Sequence, residues 1–320
     1  MSRYASHAGS WYTENASVLN EQLSEWLEEV PPTTEKGVPI PVKGARAIIA
    51  PHAGYSYSGP SAAYAYKCID IEAIKRVFIL GPSHHIYLPN CALSRCTEYE
   101  TPFGNLILDT EVIGELRDTG HFADLAKKED EAEHSIEMHL PYLYKTFESK
   151  INSIKIVPIL VGALSTSQEQ FYGRLLSRYL ADPNNFFIIS SDFCHWGLRF
   201  QYTYYSDDSD LTVQLTRKSK TELTIPIYQS IENLDRQGMS IIEHIDHQEF
   251  VSYLSKTRNT ICGRHPIAVL VCALQELQTN TSTPAMKTPE IRFIHYKQSK
   301  QVTDVLDSSV SYASAYVYLP

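Results

Sequence analysis

The sequence predicts an α/β fold: one large domain spanning residues 1–320, with a mixed central sheet and helices on both faces. Three observations carry this expectation. Ala47–Ala50, Val77–Leu80 and Phe186–Ile189 are short apolar runs without alternation, the pattern of strands buried on both faces. Helically spaced segments separate these runs. The chain of 320 residues, 43% hydrophobic and 20% charged, is long enough for a large core, and it shows no internal repeat, low-complexity tract or domain linker.

Residues 1–14 are polar and aromatic, with His7 and Trp11 bracketing Ala-Gly-Ser. A helix follows from Val18, with Leu19, Leu23, Trp26 and Val30 on one stripe and a cap at Asn15 or Ser17. Pro31–Gly37 stops it as a surface loop. The first apolar run comes next, then a small-residue helix near Ser61–Lys67, then the second run. Residues 88–108 read as short strands and turns, and Glu111–Thr119 as a helix. Ile136, Leu140, Leu143 and Phe147 share a helical face, with Pro141 kinking the helix or sitting in its first turn. Ile154–Val161 reads as a strand despite Pro158. Ser167 to Gln170 reads as a capping box for a helix with Phe171, Leu175, Tyr179 and Leu180 inward. The third run precedes a polar, tyrosine-rich excursion over 199–224. Helices are expected near 225–238, 239–246 and 247–256, then an almost wholly apolar one over Ile267–Leu277 with Pro266 at its first position. After a loop over 279–289, Arg292–His295 and Ser309–Leu319 alternate as final strands.

Each apolar run breaks into a histidine-bearing loop. Pro51 ends the first and His52 follows. Gly81-Pro82 ends the second, before Ser83, His84 and His85. The third opens into Ser190-Ser191-Asp192-Phe193-Cys194-His195-Trp196. Open α/β sheets deliver such strand ends to a cleft. If the three runs are neighbours in one parallel sheet, His52, His84, His85, Asp192 and His195 therefore converge. A transition metal needs neutral imidazoles and an anion in a dry pocket; His52 and His84 suit that role, whereas His85 must point away from its neighbour. Asp192 and His195, three residues apart, can face one cleft, with His195 as acid/base. The competing reading is an N-cap aspartate beside a histidine satisfied by backbone. His134, Glu137 and His139 lack the His-Glu-x-x-His spacing of zinc proteases, so Glu137 and His139 are assigned to the cleft or to support of a ligand, with direct ligation and core packing as the alternatives. Cys262, followed by Gly263, Arg264 and His265, lies at a helix entrance, where a thiol becomes more acidic; a buried small residue is the alternative.

A net charge of -9 argues against nucleic acid as a partner. The N-terminus has no signal-like apolar run, and no segment reaches the roughly 18–20 apolar residues of a membrane span. The six cysteines show neither paired metal spacing nor a disulfide pattern. A reducing compartment, cytoplasm or nucleus, is expected. Nothing in the pattern speaks to oligomeric state.

Six motifs together resemble the Memo family, mediators of receptor-driven cell motility: Ser-His-Ala-Gly-Ser-Trp-Tyr (6–12), Ala-Pro-His-Ala-Gly-Tyr (50–55), Gly-Pro-Ser-His-His (81–85), Glu-His-Ser-Ile-Glu-Met-His-Leu-Pro (133–141), Ser-Ser-Asp-Phe-Cys-His-Trp-Gly (190–197) and Thr-Ile-Cys-Gly-Arg-His-Pro (260–266). The resemblance implies a fold similar to class III, non-haem iron extradiol dioxygenases. It implies iron or copper held by His52, His84 and Cys262, with Asp192 and His195 as catalytic or proton-handling neighbours. It also implies a vestibule for a phosphotyrosine peptide or signalling protein, and roles in redox or metal homeostasis, motility and invasive growth; His7, Trp11, His85, Glu137 and His139 are assigned here to that cleft. Because Cys262 falls where the dioxygenases place a carboxylate, the resemblance does not carry ring-opening activity with it. A non-catalytic peptide-binding module and a metal-dependent oxidoreductase of unknown substrate are the alternatives.

Overall fold

In a computed structural model describing residues 1–207, 212–219, 223–280 and 288–320, the three histidine-bearing runs lie side by side. Strand Ala45–Ala50 pairs in parallel with Asn185–Ser190, which pairs in parallel with Arg76–Pro82. Lys155–Val161 extends the parallel set beyond Arg76–Pro82. All side chains from Ala47 to Ala50 and from Phe186 to Ile189 are buried, which is why these strands are continuously apolar rather than alternating.

Antiparallel strands complete a nine-stranded mixed sheet. Ser308–Tyr318 runs against Ala45–Ala50 and also pairs with Glu290–Gln298 and His195–Gly197. At the far edge, Cys91–Ser94 runs against Lys155–Val161 and carries Phe122–Leu125. Its pairing begins at Ile159, so Pro158 lies beyond that ladder, where a missing N–H is tolerated. Ser2–Arg3, Glu98–Thr101 and Gly104–Ile107 form a small separate sheet.

The helices cover both faces, with several shifts from expectation. Asn15 caps Ala16–Glu29, its Oδ1 accepting from Val18 N–H. The small-residue helix starts earlier than expected and spans Tyr55–Lys67. Gly59 is required there because the Trp26 ring occupies the space of a Cβ. His134–Glu137 and Leu140–Thr146 are two short helices rather than one, Pro141 standing in the first turn of the second. Ile136, Leu140, Leu143 and Phe147 are nevertheless all buried. The capping box is Ser165 with Gln168, two residues earlier than read, and it opens Thr166–Ala181. The inward stripe is consequently Tyr172, Leu176, Tyr179 and Leu180, with Phe171 and Leu175 partly exposed. Ile227–Glu243 is continuous where a break was expected at Gly238, which seats the Tyr253 ring instead of ending the helix. His247–Thr257 follows. The apolar helix spans Arg264–Asn280, with Pro266 as its third residue. The loop expected over 279–289 lies largely outside the described residues. Among those described, no helix is long and apolar enough to cross a membrane.

Candidate metal centre

The parallel strands release their loops at one edge, and His52, His84 and Cys262 meet there. One ligand-type atom from each lies within 4.8 Å of the others. The His52 and His84 rings are 5.2 Å apart at a steep angle, and Cys262 Sγ is 3.2 Å from His52 Nε2. Gly263 lets the cysteine loop press against the third strand end, since a Cβ would collide with Ser190 and Ser191.

The hydrogen bonds around both imidazoles select the ligand-competent tautomer. His52 Nδ1 is 2.6 Å from Ser190 Oγ, whose own proton goes to the Ser135 carbonyl at 2.7 Å. Nδ1 of His52 must therefore be the donor, and Nε2 keeps its lone pair toward Cys262. His84 Nδ1 donates to Glu133 Oε1 at 2.9 Å, and the His84 backbone N–H donates to Oε2 at 2.6 Å. This orientation by a partner on the other ring nitrogen is how metal-binding histidines are held. Burial opposes ionisation of Glu133, but the side-chain and backbone hydrogen bonds of His84 hold it down to about 2. Two imidazoles with free Nε2 lone pairs and one thiol thus form a donor set that fits a soft or borderline transition-metal ion.

Asp192 is buried, and Oδ1 accepts the His52 backbone N–H at 2.8 Å. Burial raises its pKa despite nearby His195. His195 Nδ1 lies 2.9 Å and 3.1 Å from the carbonyls of Phe193 and Thr260. Both partners are acceptors, so Nδ1 carries the proton and Nε2 is left as a base. The acidic thiol expected of a helix entrance is not found at Cys262: burial, with Asp192, pushes it up. The helix begins only at Arg264, so its terminus does not compensate desolvation. A coordinated cation would remove that thiol proton.

The remaining candidates separate into wall and scaffold. Trp11 packs against His134 at a tilt of 32°, centroids 4.3 Å apart, and His134 stacks on His84 at 4.5 Å. His7 meets Trp11 edge-on. His85 is exposed and lies 5.9 Å from the His134 ring, outside the ligand group. Glu137 and His139, expected at the cleft, are fully buried behind it. Glu137 instead fixes the wall, accepting from Arg3, Tyr12 and both the backbone and Nδ1 of His7 at 2.8–2.9 Å. His139 Nδ1 bonds the Tyr66 hydroxyl.

The vestibule has a volume of about 660 Å³ and is lined by His52, His84, His134, Asp192 and His195, by the aromatic rings of Trp11, Tyr57, Phe200 and Tyr312, and by Arg199 and Lys300. Glu133, Ser190, Arg199 and Lys300 are site residues that the sequence reading does not assign. Glu133 precedes a histidine inside a quoted motif, a usable signal; Lys300 reaches the site from a distant loop and leaves none.

Beneath the loops, Asp235 ties two of them together. It accepts from the Cys194 N–H at 3.2 Å, Asn259 Nδ2 at 2.9 Å and the Tyr296 hydroxyl at 2.9 Å. Burial raises its pKa to about 6, against those hydrogen bonds. Between about pH 4 and pH 6 the unfolded chain has already lost this proton while the folded chain retains it, so stability falls as pH rises through that window. Asp235→Asn is expected to remove this component. The wild-type-minus-variant difference in urea unfolding free energy should change by up to about 3 kcal/mol between pH 4 and 6. A pH-independent difference would refute the assignment.

A family model described as "Memo-like protein" matches residues 3–316. The chain is similar to Protein MEMO1 of Xenopus tropicalis, 52% identical over 98% of this chain and 96% of the relative. Protein MEMO1 of Homo sapiens is 50% identical over the same shares. Protein memo-1 homolog of Caenorhabditis elegans is 46% identical over 99% of this chain and 83% of the relative.

Proposed function

This chain belongs to the Memo family, and from that premise we propose that its cleft is a metal-binding centre serving redox or metal homeostasis linked to motility and invasive-growth signalling. The supporting observation is the convergence of two imidazoles and one thiol from three separate loops. His52, His84 and Cys262 would hold the ion. The soft thiol favours copper(I), while two imidazoles also suit iron. The ion would supply redox capacity and Lewis acidity. Ser190 and Glu133 orient the two rings, Asp192 fixes the His52 backbone, and His195 accepts or returns a proton through Nε2. With sulfur in place of a carboxylate, ring-opening dioxygenase chemistry is not part of the proposal. Oxidoreductase action on another substrate is. All six cysteines are free thiols, in keeping with a cytoplasmic or nuclear setting. Metal analysis of protein purified without chelator tests the reading: wild type should carry iron or copper, and His52→Ala should lose it. Equal trace metal in both would overturn it.

A second reading, phosphotyrosine-peptide binding without turnover, is favoured by Arg199 and Lys300 beside the vestibule aromatics, a combination suited to a phosphorylated ring. Calorimetry should show a phosphorylated peptide binding at least about tenfold tighter than its plain counterpart. Equal weak binding removes this reading.

A further inference from the structure

Cys262 faces a second cavity that is distinct from the vestibule. About 370 Å³ in volume, it is bounded by His84, His195, Cys262, Arg264 and His265. His84 and His195 are shared with the vestibule, but His52 and Asp192 line only the larger space and Cys262 only the smaller. A group bound between these residues is therefore reachable from two sides.

The chemistry of the smaller cavity is unlike that of the chain as a whole. The protein carries a net charge of -9, yet among the described residues no carboxylate lines this space. The Arg264 side chain is exposed and has no hydrogen-bond or ion-pair partner among the described residues. The neighbouring carboxylate, Glu169, is already committed: Oε1 is 2.6 Å from His265 Nδ1 and Oε2 is 2.8 Å from His247 Nε2. Those contacts clamp His265 with Nε2 turned away from the carboxylate. An unpaired guanidinium beside a fixed imidazole and a thiol, without a competing anion in the wall, is a recognition pattern for small anions.

We propose that this cavity is a separate entrance to the Cys262 side of the site, admitting small carboxylates or oxyanions that Arg264 and His265 hold against the thiol face. Its role depends on the metal-centre reading above, but its test does not, because the test uses the metal-free chain.

The probe is alkylation of Cys262 by iodoacetate and by iodoacetamide, read by mass spectrometry. In both reactions an S–C bond forms, the C–I bond breaks, iodide leaves and the thiol proton passes to solvent. Only the reagent charge differs. The other five cysteines are buried, and their protection reports that the chain is folded. Relative to free cysteine, the iodoacetate-to-iodoacetamide rate ratio at Cys262 is expected to rise about five- to tenfold, the size of one partly screened charge interaction. Arg264→Ala should abolish the rise, Arg264→Lys should retain most of it, and Arg199→Ala with Lys300→Ala should leave it intact. Acetate and inorganic phosphate should slow iodoacetate labelling, and the more effective of the two identifies the class of anion.

A ratio equal to that of free cysteine, a rise that survives Arg264→Ala, a rise lost on removing the vestibule cations, protection by neither anion, or Cys262 inert to both reagents would each overturn the proposal. Copper(I) loaded beforehand should block both reagents. Labelling that persists with its charge preference intact would count against the metal reading alone.

Discussion

Arg3→Ala is expected to destabilise the protein by about 3–5 kcal/mol, because it removes one partner from a buried charge cluster and leaves two carboxylates uncompensated. Arg3 is completely buried. Nε lies 3.0 Å from Asp130 Oδ1 and Nη1 lies 2.8 Å from Glu137 Oε2. Nη2 donates to the carbonyls of Asp130 and Glu133 at 2.8 Å. Burial opposes the charge, but Glu137 and Asp130 outweigh it, so the guanidinium stays ionised. Arg3→Lys should recover little, since an ammonium cannot reproduce the planar fork that serves several acceptors at once. The loss should also reach the site, because Glu137 carries His7 and Tyr12, and His7 packs on Trp11. Denaturant unfolding measures the first effect. A stability loss under about 1 kcal/mol, typical of an exposed pair, would show that the cluster is not coupled as described.

Glu133→Gln is expected to weaken metal binding by about 10- to 100-fold, the usual cost of removing the group that orients a ligating histidine. The carboxylate accepts from His84 Nδ1, the His84 N–H and the Ser135 N–H. An amide can satisfy only part of this set, because its NH2 faces donors. It also gives the His84 ring a weaker acceptor, lowering the basicity of Nε2. Competition with a chelator of known affinity reads the change directly, alongside thermal unfolding of the metal-free variant. Unchanged affinity in a folded variant would mean that His84 needs no such support, and would weaken its assignment as a ligand.

Much of this site was legible before any coordinates. His52 and His84 follow the apolar runs that become central strands, and motif positions place Cys262 and His195. The strand ends were readable because burial on both faces demands an unbroken apolar run, which proline or glycine then terminates. Glu137 and His139 stay open between cleft and core in the sequence for the complementary reason. Their sequence neighbourhood is rich in metal-binding residue types, but side-chain direction on two short helices depends on what those helices pack against. The acidity of the Cys262 thiol misled: a helix entrance favours the thiolate, whereas burial beside Asp192 opposes it more strongly.

Local sequence alone determined the fold class, the three histidine-bearing turns and most of the family's motif residues, because strand burial and turn chemistry are imprinted within a few residues of where they act. The tertiary structure alone decided that Ala45–Ala50, Asn185–Ser190 and Arg76–Pro82 are sheet neighbours, that Ser190 and Glu133 choose the tautomers of His52 and His84, and that Arg264 and His265 border a second space beside Cys262. Those features arise from contacts between segments separated by tens to hundreds of residues, where strand order, desolvation and hydrogen-bond partners are set by how the layers pack.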